Sequence, residues 1–250
     1  MSVWFAIPSK KPAAEAERTL WLWRNKGYRL AIWRDEGDEP VECDLLLIGP
    51  YPGYANAVNA LCREILGRYR ETEWIVSGGD DVEPDPNHTA DEIAQECSEH
   101  FTAHIEITRH GSLGPQFMEN CPTWGIMQPT GDRWGEDASM PNVRPDRAAY
   151  SDRVCGSPWL GAEFCRRMYG GQGPLWPGWT HMYEDEELQA VAERLGILWQ
   201  RRDLTHFHRH YARERKPMPE YMRQPNSEFA KWGKVFAERQ AAGFPGHQPV

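Results

Sequence analysis

Two adjacent carboxylates, Asp80 and Asp81, follow a short apolar run at residues 74–76 and two glycines. The aromatic and β-branched residues of that run predict a buried strand that ends where the carboxylates begin. The rim of an open α/β sheet is where such folds bind ligands, and neighbouring negative charges there favour a hard divalent cation. We therefore predict a Mg²⁺ or Mn²⁺ site at this pair, with an acidic turn after a strand as the alternative.

Three histidines, His206, His208 and His210, alternate along a later segment. If that segment is extended, alternate side chains share one face, so the imidazoles lie close together. Such a face would complete the metal site that the two aspartates begin. A cluster of histidines on the surface is the alternative.

A second acidic run spans residues 184–187, after a loop rich in tryptophan. Carboxylates at the start of a helix are favoured by the helix dipole, so ordinary helix-start chemistry accounts for the pattern. The functional interpretation is a general base at the mouth of a pocket, provided by Glu184 or Asp185.

Polar residues at two earlier strand ends predict a nucleotide pocket beside the carboxylates. One strand ends at Pro8, Ser9 and Lys10, and another ends at Asp35, whose carboxylate suits a ribose or a base. The carboxyl ends of strands in an open α/β sheet meet at one edge, which is where a nucleotide binds.

A helix predicted to begin after Gly53 carries small residues and two asparagines one turn apart, Asn56 and Asn59. Glycine and small side chains at a helix start allow a ligand to approach the backbone closely. The alternative is a capped helix with a small packing face.

The elements that must position these residues alternate between strands and helices. In the first part of the chain we predict strands at residues 3–8, 28–33 and 44–48 and from residue 74, and helices at 13–26 and 54–69. This order is typical of an α/β fold with a doubly wound, mostly parallel central sheet and helices on both faces.

The pattern is less regular after residue 85. We predict helices at 89–101, 185–195 and 227–241, strands at 125–130 and 197–202, a strand end running into a helix at 156–169, and a polar loop at 132–146. The expected organisation is one catalytic domain of residues 1–215, with a nucleotide-binding half (1–85) and an acceptor half (86–215) that completes the same sheet, followed by a C-terminal extension (216–250).

Composition narrows the classes further. The net charge of −9 argues against a general nucleic-acid coat protein, which binds through a net basic field. The six cysteines contain no CxxC pair, which indicates reduced thiols in a cytosolic protein. Neither a signal peptide nor an apolar run of the ~18 residues needed for a membrane span is present, so we expect a soluble, cytoplasmic protein.

Four of these motifs, in their order and spacing, resemble the GT-A fold glycosyltransferases of the family 2 type, over residues 1–211. Residues 79–84 resemble the DXD region of that family, with Gly79 where a first aspartate is common. Residues 53–61 resemble its glycine and asparagine helix motif, which precedes the DXD strand.

The later motifs continue the resemblance. Residues 156–160, with the arginines at 166 and 167, resemble the donor-side segment that precedes the base. Glu184 and Asp185 resemble the ED motif, and His206 or His208 resembles the late metal-binding histidine.

The resemblance implies an inverting transfer of a sugar from a nucleotide-diphosphate donor, with Mn²⁺ or Mg²⁺ on the leaving group. Asp81 is then the best metal ligand, helped by His208 or His206, and Asp185 takes the acceptor's proton with Glu184 beside it. The residues expected to hold the donor are Pro8, Ser9, Lys10, Asp35, Asn59, Asp80 and Gly156.

Three tryptophans, Trp159, Trp176 and Trp179, are candidates for a stacking floor under a sugar or base at the acceptor side. Packing in the core is the alternative for each of them.

The acceptor is the most open part of the expectation. The short, Trp-rich chain is similar to phage-encoded glycosyltransferases, some of which decorate modified bases in DNA, which would place it in the host cytoplasm. A basic run, Arg201, Arg202, Arg209, Arg213, Arg215 and Lys216, would bind the phosphates of such an acceptor or form a solvated face.

Two other functions fit the same pattern. One is a nucleotidyltransferase on a similar sheet, which would attack the α-phosphate of its donor and release pyrophosphate. The other is a non-catalytic module that binds carbohydrate or nucleic acid.

Overall fold

A seven-stranded sheet forms the centre of the protein. The computed structural model describes residues 2–110, 121–132 and 156–248, without the side chains of residues 103–110, 221 and 224–226. The strands in chain order are β1 (Ser2–Pro8), β2 (Arg29–Arg34), β3 (Leu45–Ile48), β4 (Thr72–Ser77), β5 (Val82–Glu83), β6 (Ile126–Pro129), β7 (Trp159–Gly161), β8 (Leu198–Arg201) and β9 (Phe207–His208).

The sheet has the order β3-β2-β1-β4-β7-β6-β8, and β5 pairs with β9 in a separate antiparallel ribbon. Within the large sheet β7 is antiparallel to β4 and β6, and the other neighbours are parallel. The predicted α/β fold with a mostly parallel sheet is therefore confirmed. Because β1, β2 and β4 are parallel, their carboxyl ends meet at one edge, where ligands bind in open α/β sheets.

The described helices are α1 (Ala13–Asn25), α2 (Tyr54–Arg68), α3 (Ala90–His110), α4 (Ala162–Arg167), α5 (Glu184–Leu195) and α6 (Arg223–Ala241). They cover both faces of the sheet, so two apolar cores form. Buried residues of α2, α4 and α5 belong to one core, and buried residues of α1 and α3 belong to the other.

Strand β1 shows how the sequence divides between these cores. Trp4 and Ala6 belong to the core with α2, whereas Phe5 and Ile7 belong to the core with α1. Successive side chains of a strand point to opposite faces, so a continuous apolar run is required where both faces are covered. Phe5 stacks on Trp23 of α1 with ring centroids 3.8 Å apart.

The C-terminal segment, residues 216–248, packs against the domain through a buried ion pair. Arg239 of α6 donates from Nη2 and Nε to the two oxygens of Glu187 in α5, at 2.6 and 2.7 Å. Glu187 also accepts from Tyr169 and Trp179. The C-terminal extension expected from the sequence is thus held against α5 by the fully hydrogen-bonded carboxylate of Glu187.

Most predicted elements agree with the observed ones to within a few residues. The sequence did not predict the short β5, and α3 continues past the expected end to His110. Of the predicted loop at 132–146, the part after residue 132 lies outside the described residues. None of the described helices has the length and apolar character needed to cross a membrane.

Candidate functional site

A cavity of about 1050 Å³ opens at the carboxyl ends of β1, β2 and β4. We call one wall the strand side, because it follows these strands, and it also takes residues from β9 and from the chain before β7. The residues of the strand side used below are Pro8, Ser9, Lys10, Lys11, Asp35, Asp80, Asp81, Gly156 and His208. The helix side consists of Thr180, His181, Met182, Glu184, Asp185, Met222 and Glu228.

Asp80 is held on the strand side by the loop after β1. Ser9 Oγ donates to Asp80 Oδ2 at 2.6 Å, and Lys11 Nζ lies 3.3 Å from Oδ1 and donates to the backbone carbonyl at 2.8 Å. Lys10 pairs in turn with Asp35 at 3.1 Å. The carboxylates at the ends of β2 and β4 are therefore each matched by a lysine of the same loop.

A buried arginine lies beneath that loop. Arg34, only 2% exposed, donates to the backbone carbonyls of Ser9, Lys11 and Glu39 at 3.1, 2.7 and 3.1 Å. These carbonyl acceptors are uncharged, so the guanidinium places positive charge under the strand side while it fixes the loop. An anionic ligand in the cavity would be stabilised by this charge.

Asp81 faces His208 across the strand side. Asp81 Oδ2 lies 3.3 Å from His208 Nε2. Burial by itself would raise the pKa of Asp81, but the hydrogen bond and charge of His208, with Lys11, outweigh it and lower the pKa. The carboxylate is therefore ionised and able to ligate a cation.

Asp81 Oδ2 and His208 Nε2 are close enough to ligate one divalent ion, which would replace the hydrogen bond that now joins them. Within residues 2–110, 121–132 and 156–248, no group of three His, Cys, Asp or Glu side chains is arranged to hold a metal. The remaining positions of an ion here would be taken by substrate oxygens and water, as is usual for Mg²⁺.

Gly79 makes room for this arrangement. A Cβ at position 79 would collide with Oδ1 of Asp81. The glycine that stands where the resemblance expects a first aspartate is thus compatible with the observed position of Asp81, and any side chain there would displace the carboxylate.

On the helix side, Glu184 is a buried carboxyl group with one oxygen that has no hydrogen-bond partner. It is 8% exposed, and its Oε2 accepts no hydrogen bond. Burial, and then the charge of Asp185, raise the pKa of Glu184 to about 8. A carboxyl group in a ligand cavity with a pKa in this range has the properties of a proton-transfer residue.

Asp185 has a different environment. Its Oδ1 accepts from the backbone N–H of Glu186 at 3.0 Å, in the first turn of α5. The neighbouring His181 has its pKa lowered by burial, although Asp185 opposes this shift. At neutral pH, His181 is therefore an uncharged part of the wall.

The C-terminal segment supplies part of the helix side. Met222 Sδ lies 3.2 Å from His181 Nε2, and Glu228, which also lines the cavity, accepts from Trp232 Nε1 at 3.1 Å. Nothing in the sequence pattern of residues 216–250 indicated this role, since the methionine and glutamate are common residues with no motif around them.

The structure brings ten of the predicted site residues to one cavity. They are Pro8, Ser9, Lys10, Asp35, Asp80, Asp81, Gly156, Glu184, Asp185 and His208. Lys11 was not predicted, although its position beside Lys10 in the same strand-end loop was the available signal.

His206 and Asn59 occupy other places. His206 is 3% exposed, bonds to Ser157 Oγ through Nδ1 at 2.9 Å and packs edge-on against Trp23, so we replace it by His208 as the candidate ligand. The side-chain amide of Asn59 donates to the backbone carbonyl of Leu175 at 2.8 Å and accepts from the backbone N–H of Leu175 at 3.0 Å. Asn59 thus stabilises the loop at Leu175 and is not placed to contact a nucleotide-sugar donor.

The three candidate stacking tryptophans are packing residues. Trp159 and Trp179 are fully buried, and Trp179 donates to Glu187. The ring of Trp176 is covered by Arg239, whose Cζ lies 3.7 Å from its centroid. The alternative of core packing therefore describes them, because buried or covered faces cannot stack on an acceptor.

The basic run is extensively neutralised by carboxylates. Arg213 pairs with Asp132, Arg201 with Glu96 and Asp203, Arg209 with Glu83 and Glu214, and Lys216 with Glu214. At least four of the six cations thus have acidic partners, which leaves less positive charge for the phosphates of a polymer than the sequence suggests.

No protein-family model matches the chain, and no curated protein matches its sequence. The chemistry of the cavity therefore provides the functional information: paired charges on the strand side, including Asp81 beside His208, and a buried carboxyl group of raised pKa on the helix side.

Proposed function

We propose that the protein is a metal-dependent glycosyltransferase of the GT-A type, which moves a sugar from a nucleotide-diphosphate donor to an acceptor hydroxyl. The observation that carries this proposal is the combination, in one cavity, of the Asp81–His208 pair with the buried carboxylate of Glu184. A nucleotide-binding protein without catalysis has no need for the second feature.

The donor occupies the strand side. Asp35 bonds its ribose or base, and the positive charge of Lys11 and Arg34 stabilises its diphosphate. Asp81 and His208 would hold Mn²⁺ or Mg²⁺, which would supply charge neutralisation for the leaving diphosphate. Asp80, fixed by Ser9, accepts hydrogen bonds from the ribose or the sugar.

The general base lies on the helix side. The sequence resemblance names Asp185, but we assign the base to Glu184, because Glu184 lines the cavity and burial raises its pKa to about 8. Glu184 removes the proton of the acceptor hydroxyl, the oxygen attacks the anomeric carbon, and the bond from that carbon to the diphosphate oxygen breaks. Displacement from the opposite face inverts the configuration.

The acceptor hydroxyl binds between Glu184 and the wall of His181, Met222 and Glu228. A hydroxymethylated base in DNA stays a prediction, and the ion pairs of the basic run give it no additional support. Cytoplasmic location likewise stays a prediction.

Incubation with a panel of UDP- and GDP-sugars, with and without Mn²⁺, tests the function. We expect Mn²⁺-dependent release of the nucleoside diphosphate, and a rise in melting temperature with the preferred donor because ligands stabilise the state they bind. Release of pyrophosphate from a nucleoside triphosphate would support the nucleotidyltransferase. If no donor is hydrolysed but a glycan raises the melting temperature, the binding module is favoured.

A further inference from the structure

The backbone of His208 is held on both sides by one buried ion pair. The N–H of His208 donates to Asp132 Oδ2 at 3.3 Å, and the carbonyl of His208 accepts from Arg213 Nη1 at 2.8 Å. Arg213 Nη1 also donates to both oxygens of Asp132, at 3.0 and 2.9 Å. The carboxylate, the guanidinium and the peptide groups of His208 therefore form one closed network.

This ion pair is well shielded. The side chains of Asp132 and Arg213 are each 8% exposed, and Arg213 also lies over the ring of Phe207, with Cζ 4.7 Å from the centroid. A buried pair is less weakened by solvent than a surface pair and holds its geometry more rigidly. Neither residue lines the cavity, and their hydrogen bonds reach it through the backbone of His208.

The chain reaches this position through Gly131. The N–H of Gly131 donates to the carbonyl of Leu204 at 2.8 Å. A Cβ at position 131 would lie 2.6 Å from that carbonyl oxygen and 2.8 Å from the carbonyl of Arg202. Only glycine permits this approach, which delivers the next residue, Asp132, from the end of β6 to the segment that contains β9.

We propose that Asp132 and Arg213 are positioning residues that hold His208 at the distance from Asp81 required for metal binding. The inference rests on the proposed function, because it concerns the same metal site. Hydrogen-bonding partners of metal ligands orient them, and their loss typically weakens metal affinity about 10- to 100-fold. If the pair only linked β6 to β9, its loss would lower the stability of the protein and leave its metal affinity unchanged.

The chain provides a matched control for the test. Arg201 has a side chain of similar burial, 11% exposed, and pairs with the more exposed carboxylates of Glu96 at 2.6 Å and Asp203 at 2.6 Å, and it does not line the cavity. Lysine keeps the charge but loses the forked donors of the guanidinium. Arg213→Lys and Arg201→Lys are therefore changes of the same kind at two buried arginines.

The experiment measures binding of Mn²⁺, alone and with UDP, by electron paramagnetic resonance of the full chain, with the melting temperature of each variant measured in parallel. We expect Arg213→Lys to weaken Mn²⁺ binding about tenfold or more at temperatures where it stays folded, and Arg201→Lys to leave it unchanged. The double variant Asp132→Asn/Arg213→Met leaves no unpaired charge, so it is the more easily folded of the changes at this pair. It should show the same loss of Mn²⁺ affinity.

Two results would overturn the inference. If the unchanged protein binds Mn²⁺ and both Arg213 variants bind it equally well, the pair is structural and the proposed function stands. If the unchanged protein binds no Mn²⁺ with or without UDP, the metal site of the proposed function is wrong and the positioning role is lost with it.

Discussion

The carboxyl groups on the strand side of the cavity and the buried carboxyl group on its helix side have opposite environments. On the strand side the carboxylates Asp35, Asp80 and Asp81 each have a basic partner, namely Lys10, Lys11 and His208. On the helix side Glu184 is buried with an oxygen that accepts no hydrogen bond.

This difference suits the strand side to ligand binding and the helix side to proton transfer. Paired charges are already organised before a ligand arrives, so they suit a charged, metal-bound donor and cost little to rearrange. An unpaired buried carboxyl group favours its protonated form, so its pKa moves toward the range needed to exchange a proton near neutral pH. The two sides of the cavity therefore divide the proposed reaction between them.

The strongest test of the strand side is removal of Asp81. We expect Asp81→Asn to lower Mn²⁺-dependent transfer by about 1,000-fold or more, because the ion supplies several kcal/mol of charge stabilisation. Glu83→Gln is the matched control, since it removes one carboxylate two residues further along the chain, in β5 and outside the cavity. Turnover with and without Mn²⁺ is the measurement, and equal metal dependence in both variants would exclude Asp81 as a ligand.

Removal of the helix-side carboxylate should have the next largest effect. We expect Glu184→Gln to lower kcat by about 10²- to 10⁴-fold with donor affinity unchanged, the range typical of a lost general base. Asp185→Asn should have a smaller effect on kcat. The opposite order of the two variants would return the role of base to Asp185.

The raised pKa of Glu184 predicts opposite trends with pH. A base is active when deprotonated, so kcat/KM should rise as the pH approaches about 8. The folded state holds this proton more tightly than the unfolded state, so the contribution of Glu184 to the free energy of unfolding, measured as the difference from Glu184→Gln, should fall from pH 4.5 to about 8. The rise in kcat/KM should disappear in Glu184→Gln, and pH-rate profiles and urea unfolding of both proteins measure the two trends.

The helix side should also depend on the ion pair between Arg239 and Glu187, which holds the C-terminal segment against α5. Arg239→Met leaves Glu187 buried without its cation, and we expect a loss of about 3–5 kcal/mol in the free energy of unfolding. Arg239→Met/Glu187→Gln removes both charges and should be less destabilising. Below its melting temperature, Arg239→Met should raise KM for the acceptor more than KM for the donor. Equal changes in both would mean that the segment does not form an acceptor wall.

A smaller effect should separate the two lysines of the strand side. Lys11 has a side chain only 25% exposed and contacts Asp80, whereas Lys10 is 69% exposed. We expect Lys11→Met to weaken UDP binding about tenfold, the effect of one lost charge-assisted hydrogen bond, and Lys10→Met to weaken it less. Calorimetric titration with UDP and Mn²⁺ measures this difference.

The smallest effect is expected for DNA. Because Arg209 and Lys216 already pair with carboxylates, binding of a hydroxymethylated duplex should depend weakly on salt, with a logarithmic slope no steeper than about −2. Arg209→Ala/Lys216→Ala should leave that slope unchanged. Fluorescence anisotropy at two salt concentrations measures this slope. A steep slope that flattens in the double variant would establish a DNA contact.

The sequence alone determined the α/β class, most element positions and much of the strand side. These features depend on local information: apolar runs mark buried strands, and polar residues after parallel strands must meet at one edge of the sheet. For the same reason Ser9, Asp35, Asp80 and Asp81 were found without any knowledge of their partners.

Predictions from the local sequence pattern failed at positions whose environment depends on long-range packing. Alternation placed His206 and His208 on one face, but β9 begins only at Phe207, so His206 enters the core and His208 reaches the cavity. Composition could not distinguish a stacking tryptophan from a buried one, since both are large and aromatic.

Only the tertiary structure determined which charges are paired. The contact of Asp132 with Arg213 joins residues 81 positions apart, and that of Glu187 with Arg239 joins residues 52 apart. Sequence spacing carries no information about such contacts, because they form only when the sheet brings its far ends together. The same packing buries Glu184, so its raised pKa, and with it the proposed base, is a property of the fold and not of the motif.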